Sequence, residues 1–154
     1  MVVDGTVLPA LLHPEMGHIA LQRLPGDTAP STCRFHDNCA EGLTAGPAIA
    51  ARFGASLDTF APEAPEFLMI ADYIGQLCCQ LVLTLSPQRI VLGGGVCKAP
   101  GIIGAAQQAM VRHLGGYAPD AVARPDYLAA PGMGEDAGIT GAALCAADHL
   151  PEGV

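Results

Sequence analysis

Between Pro65 and Leu85 the apolar residues Phe67, Ile70, Ile74, Leu77, Cys78, Leu81 and Leu85 recur at three- and four-residue spacing. That period predicts one long amphipathic helix. Ser86-Pro87 should end it, because a residue before proline is pushed out of helical geometry. RIVLGGGV then predicts a buried strand running into three glycines, and IIGAAQQAMVRHLGG a second helix closed by Gly115-Gly116. DYLAA is a candidate short strand. GEDAGITGAALCAADHL predicts a last helix, whose small residues suit close packing. Before the long helix, VVDGTVL predicts a strand broken by a turn at Asp4-Gly5. GHIALQRL alternates well enough to predict another strand. The segment from Pro25 to Cys39, rich in Pro, Ser, Thr, Asp and Asn, predicts a loop. Gly46-Pro47 marks a helix start, and AIAARFG continues it to Gly54.

Strands alternating with helices in the second half indicate an α/β domain, helices packed on a sheet. A chain of 154 residues suffices for a single domain, residues 1–154, with its own core. Hydrophobic residues at 51% against 14% charged exclude a disordered chain. The net charge of −8 and seven scattered basic residues lack the basic stripe that nucleic acid requires. Nor is a membrane partner expected: FLMIADYIGQLCCQLVLTL carries Asp72, Gln76 and Gln80, which a bilayer core penalises. The N-terminus has no basic region ahead of its apolar run, so no signal peptide is expected. The cysteines form no evident disulfide framework, which points to the cytoplasm.

The chemistry-bearing side chains are not spread evenly. Three of the five histidines and two of the six cysteines fall between His13 and Gly42. Cys33, His36 and Cys39 form C-x-x-H-x-x-C in the predicted loop, and a strand-borne His18 can supply a fourth ligand. Zinc takes four N/S ligands in a tetrahedron, and short spacings let one loop bend round the ion. Such a site would be structural, pinning a loop (about residues 25–42) that buries little. The competing reading is a loop of incidental cysteines and solvated histidines. His13, next to Pro14, is a weaker ligand candidate. Glu15 and Glu41 flank the cluster. Carboxylates accept hydrogen bonds in pairs from the hydroxyls of a polyhydroxylated ligand, yet two ordinary surface acids would have the same spacing.

HPEMGH, CRFHDNCAEGLTAGPAIAARFG and PQRIVLGGGV together resemble the ROK family of sugar kinases and repressors, most of all its fructokinase branch. The resemblance covers nearly the whole chain. It rests on E-x-G-H (Glu15 to His18), on the cysteine loop ending in C-x-E (Cys39 to Glu41), and on the C-x-x-H form of that loop. It implies that Glu15, His18 and Glu41 bind the sugar. It implies that His18, Cys33, His36 and Cys39 bind a structural zinc, His18 ligating through one ring nitrogen and donating from the other. Gly93, Gly94 and Gly95 would lie along ATP, since glycines after a strand let backbone approach a nucleotide closely. Alone, such a triple glycine is an ordinary tight turn.

The fold implied is an actin-like, ribonuclease H-like sugar kinase of two α/β lobes with the active site between them. The family's D-x-G-G-T phosphate loop and its Asp-Val-Asn-type motif, whose aspartate is the general base, do not occur in this sequence. The expectation is therefore a C-terminal lobe with no catalytic base of its own. As half of an ATP- and Mg2+-dependent hexose kinase, fructokinase-like, it should turn over little alone. It should self-associate as a homodimer or pair with an N-terminal lobe. A zinc-stabilised sugar-sensing lobe of a repressor is the alternative. A zinc-ribbon interaction protein ranks last, for want of two matched C-x-x-C halves.

Overall fold

The computed structural model of the chain describes residues 1–8, 11, 14–117 and 119–148. His13 and the last expected helical residues, His149 and Leu150, lie outside them. The chain opens with strands β1 (Val2–Val3) and β2 (Thr6–Val7), an antiparallel pair with Val2 opposite Val7 and Val3 opposite Thr6. Asp4 and Gly5 turn between them with φ of 49° and 78°. Two successive positive φ values give a turn whose twist matches the strands.

The strand expected over GHIALQRL is absent. Met16–His18 is a 3-10 turn instead, and the residues after it make only one bridge, between Ala20 and Cys39. His18 is therefore borne on a turn rather than a strand. The proline- and serine-rich segment is the expected loop, and it runs into helix α1 (Ala40–Thr44), capped by the Cys39 sulfur accepting from Gly42 N–H. Helix α2 (Gly46–Phe53) carries Pro47 in its first turn. It closes at Gly54, whose φ of 71° suits glycine.

Helix α3 (Pro65–Leu85) has the boundaries its periodicity predicts, and Ser86 ends it in the left-handed region just before Pro87. Strand β3 (Ile90–Val91) follows, and a 3-10 turn at Val96–Lys98 leads to helix α4 (Ile102–Leu114), closed by Gly115. After helix α5 (Pro119–Val122), strand β4 (Leu128–Ala129) returns parallel to β3, Ile90 facing Leu128 and Val91 facing Ala129. A parallel pair needs a crossover, and α4 supplies it. The Gln107 amide on α4 fixes the return by donating to Arg124 O (2.6 Å) and accepting from Leu128 N–H (3.0 Å).

Among the described residues the sheet is thus two strands wide, and the body is the α3–α4 pair. Phe67, Ile70, Ile74 and Cys78 from α3 and Ile102, Ala106 and Met110 from α4 make one buried cluster. Each fully buried large apolar side chain contributes about 1.5–3 kcal/mol. The two helices approach closely at Gly75, where an added Cβ would lie 2.5 Å from Ala109 Cβ and 2.7 Å from Met110 N. By length and composition α3 could cross a bilayer. Its apolar face, however, is packed against α4, and its polar face holds the site segment. Helix α6 (Ala137–Asp148) departs from expectation. Among the described residues it is mostly exposed rather than closely packed: Ile139 and Leu144 remain 73% and 62% exposed.

Candidate metal and ligand site

The polar stripe of α3 explains where the site segment lies. Tyr73, Gln76 and Gln80 recur at three- and four-residue spacing and so share one face. Gln76 accepts from Gln22 N–H and donates to Gln22 O, both at 3.0 Å, pairing with that residue as a neighbouring strand would. Gln80 donates to Ala20 O at 3.1 Å, and the Tyr73 hydroxyl accepts from Leu24 N–H at 3.0 Å. Beneath, Leu21, Ala40, Leu43 and Tyr73 form a second buried cluster. The segment from Ala20 to Leu24 is thereby fixed on α3, with His18 just ahead of it and the cysteine loop just behind.

That placement brings the four ligand candidates together. The nearest ligand atoms of His18, Cys33, His36 and Cys39 all lie within 4.8 Å of one another. Cys33 Sγ is 3.7 Å from His18 Nδ1 and 3.8 Å from His36 Nδ1, and Cys39 Sγ is 3.8 Å from His18 Nδ1. Zinc–sulfur and zinc–nitrogen bonds of about 2.3 and 2.05 Å at the tetrahedral angle put S and N about 3.6 Å apart. The donor set and its spacing therefore fit zinc. Among the described residues no disulfide forms, so both thiols remain available as ligands.

The two thiols are not equivalent. Phe35 N–H, 3.4 Å from Cys33 Sγ, stabilises the thiolate and lowers the Cys33 pKa. Burial of Cys39 disfavours its thiolate and raises its pKa. The loop is built tightly around them. The Ser31 hydroxyl donates to His36 O (2.7 Å) and accepts from Cys33 N–H (3.1 Å), and Thr32 N–H donates to Gly42 O (3.1 Å). Gly42 has no room for a side chain, since a Cβ there would fall 2.0 Å from Ser31 Oγ and 2.9 Å from Cys33 Cβ.

With Nδ1 of His18 turned to the sulfurs, Nε2 faces the other way, 3.5 Å from Glu41 Oε2. A neutral imidazole occupied at Nδ1 carries its proton on Nε2. One donor and one carboxylate acceptor then stand side by side, which is the complement of a hydroxyl group that accepts and donates at once. Glu41, on α1, is half exposed and open to a ligand. Glu15 stands at the entrance of the Met16–His18 turn, exposed to solvent. Phe35 is also exposed, its ring edge-on to His18 at 6.1 Å with the Arg34 guanidinium over its face.

The glycine turn belongs to a separate place. Gly93 and Gly94 line an open pocket of about 380 Å3 with Cys97, Lys98 and Pro131. Gly93 packs on Pro131, and Gly94 has φ of 91°. Gly95 lines a neighbouring pocket of about 520 Å3 with Gly46, Ser56 and Lys98. No long helix follows the turn directly: the three-residue turn at Val96–Lys98 intervenes before α4. Lys98 lines both pockets and pairs with Glu135.

One buried group has no local motif in the sequence. The Asp27 carboxylate, almost wholly buried, accepts from the Tyr73 hydroxyl, from Arg52 Nη1 and from Ala29 N–H. Burial alone would raise its pKa, but the bonds from Arg52 and Tyr73 outweigh that and hold it below the ordinary carboxylate value. Asp27 follows Pro25-Gly26 and has the look of a turn residue. Arg52 and Tyr73 lie 25 and 46 positions away, beyond the reach of any local pattern.

A family model described as the ROK family matches residues 4–149. A fructokinase from Pediococcus pentosaceus is 37% identical over 134 residues, covering 87% of this chain and 46% of that protein. A fructokinase from Zymomonas mobilis is 34% identical over 148 residues, covering 92% of this chain and 48% of that protein. Among solved structures, a ROK hexokinase from Thermus thermophilus superposes with a TM-score of 0.70 at 32% identity, over 93% of this chain and 51% of that one. The chain spans about half the length of these relatives.

Proposed function

The chain belongs to the ROK family, and from that premise we propose that it is the sugar- and nucleotide-holding lobe of an ATP-dependent hexose kinase, with fructose as acceptor. The observation that carries this reading is the His18–Glu41 pair, a donor and an acceptor 3.5 Å apart on a frame of four metal-ligand side chains. Fructose is proposed as acceptor because the chain is similar to fructokinases. Cytoplasmic residence accords with thiol ligands that must stay reduced.

His18, Cys33, His36 and Cys39 would hold zinc, which supplies a rigid cross-link and no reaction chemistry. The chain's own residues then do the binding. His18 Nε2–H donates to one sugar hydroxyl, and Glu41 accepts from the same hydroxyl or its neighbour. Glu15, at the other end of the 3-10 turn, accepts from a further hydroxyl. Gly93 and Gly94, without Cβ atoms, let ATP lie against the backbone, and Lys98 between the two pockets would exchange its Glu135 partner for phosphate. Phosphoryl transfer also needs Mg2+, a general base and the acceptor oxygen held in line with the γ-phosphate. We assign the base to the lobe that the relatives carry beyond the matched half.

Calorimetric titration of fructose and of ATP, separately, tests the reading. Both should bind weakly, Glu41→Gln should abolish the fructose heat, and its ATP heat should stay unchanged. No hexose heat from the zinc-loaded protein, or fructose binding that survives Glu41→Gln, would overturn it. A coupled ADP-release assay on this chain alone should give little or no turnover. Rapid fructose-dependent turnover would place the base within these residues after all.

A further inference from the structure

Three of the four candidate ligands, within 4.8 Å of one another and of His18, stand on a mostly exposed loop. Its ordering has another source. Asp27 sits where the loop begins, and three elements converge on its carboxylate. Tyr73 reaches it from α3, Arg52 from α2, and Ala29 N–H from the loop. The same Tyr73 hydroxyl accepts from Leu24 N–H, so it holds both sides of the Pro25-Gly26 turn. Arg23, 3.4 Å from the Asp27 carboxylate, spans the base of the loop, donating to Ala29 O at 2.8 Å and to Asp37 O at 2.5 Å. One of those carbonyls precedes Cys33 and the other follows His36. The arms that carry the candidate ligands are thus tied at their foot by hydrogen bonds within the chain.

We propose that Asp27, acting through Tyr73, Arg52 and Arg23, is a positioning residue that sets the Cys/His loop in its ligand-ready geometry before any metal is bound. It touches no ligand atom. The arrangement is costly to disturb, because a buried carboxylate stripped of a donor keeps its desolvation penalty. Arg52 is similarly committed. Its Nε and Nη2 have no hydrogen-bond partner, and its guanidinium lies 5.8 and 6.0 Å from the ring centres of Phe53 and Tyr73. Its charge is therefore met by the Asp27 carboxylate and two aromatic rings. A loop held this way spends little conformational entropy on metal capture.

The inference rests on the metal reading only in part, and the test separates the two. Tyr73→Phe removes one hydroxyl and keeps the ring that packs under α1. Asp27→Asn keeps the size and removes the charge. Hydrogen exchange of the metal-free protein is compared first. In Tyr73→Phe the amides of Asp27, Ala29, Thr32 and Cys33 should exchange about tenfold faster or more, while those of α4 hold their rates. Zinc affinity is then measured by competition with a chromophoric chelator, and it should fall about 10- to 100-fold in both variants. Loop exchange unchanged in Tyr73→Phe, or faster only in step with α4, overturns the inference. So does wild-type zinc affinity in a variant that retains its fold. If the unaltered protein binds no zinc, the metal reading fails and the exchange comparison alone decides the role of Asp27. If Asp27→Asn does not fold, Tyr73→Phe decides it.

Discussion

Replacing Gly42 with alanine perturbs the Cys/His loop without removing any of its candidate ligands. Gly42 is in α1, where alanine is intrinsically better than glycine by about 1 kcal/mol. On propensity alone the substitution stabilises. The contacts argue otherwise. The new Cβ falls 2.0 Å from Ser31 Oγ and 2.9 Å from Cys33 Cβ, while ordinary contact begins at 3.4 Å. Ser31 can rotate away, but its hydroxyl then gives up the bonds to His36 O and from Cys33 N–H. Cys33 must recede by about 0.5 Å, against a tolerance of roughly 0.2 Å for a metal ligand. Overpacking of this kind costs about 1–3 kcal/mol, which cancels or exceeds the helix gain. The loss falls on the loop rather than on the α3–α4 body, so zinc affinity should drop about 10- to 100-fold. The stability of the metal-free protein should fall by no more than about 2 kcal/mol, the overpacking cost less the helix gain. Chelator competition gives the first quantity, and urea unfolding with chelator present gives the second. Zinc affinity within twofold of the unaltered protein would refute the geometry of the loop.

Four further outcomes can be checked separately. Elemental analysis of purified protein should find one zinc per chain, and Cys39→Ser should lose it. Gly75→Ala should destabilise the fold by about 1–3 kcal/mol in urea unfolding, because its Cβ meets the backbone of α4 rather than a yielding side chain; an unchanged midpoint would show that the helices can separate freely. Asp27 has its pKa lowered in the folded state, so its stabilisation is complete above the unfolded value of roughly 3.9 and disappears as pH falls through the lower folded value. Stability measured from pH 5 downward should therefore decline below about pH 4 in the unaltered protein, and that part of the decline should be absent in Asp27→Asn. Light scattering at micromolar concentration should show self-association, given apolar residues as exposed as Ile139 and Leu144; a monodisperse monomer would count against it.

How far the sequence disclosed this molecule depends on where each residue finds its partners. The long helix was legible to its end residues because its partners follow its own period: Phe67, Ile70, Ile74 and Cys78 face one neighbour, and Pro87 stops the pattern. The Cys/His cluster was legible because cysteine and histidine are scarce and three of its four residues sit in one loop. GHIALQRL misled because alternation describes which side chains are buried, not what the backbone bonds to. Leu21 is buried as a strand residue would be, yet Gln22 satisfies its N–H and C=O on the side-chain amide of Gln76. An amide can mimic one rung of a sheet, so pattern alone cannot tell a strand from a segment laid along a polar helix face. The polar residues that argue against a membrane helix, Asp72, Gln76 and Gln80, each have an addressed partner: Gln76 and Gln80 fix the segment behind His18, and Asp72 accepts from His113 on α4 at 2.8 Å. Polar residues on a buried helix are thus better read as addressed to particular backbone groups than as interruptions of a core. By that logic the Tyr73 hydroxyl, which must find a partner when buried, was the one sequence-level hint of the Asp27 group.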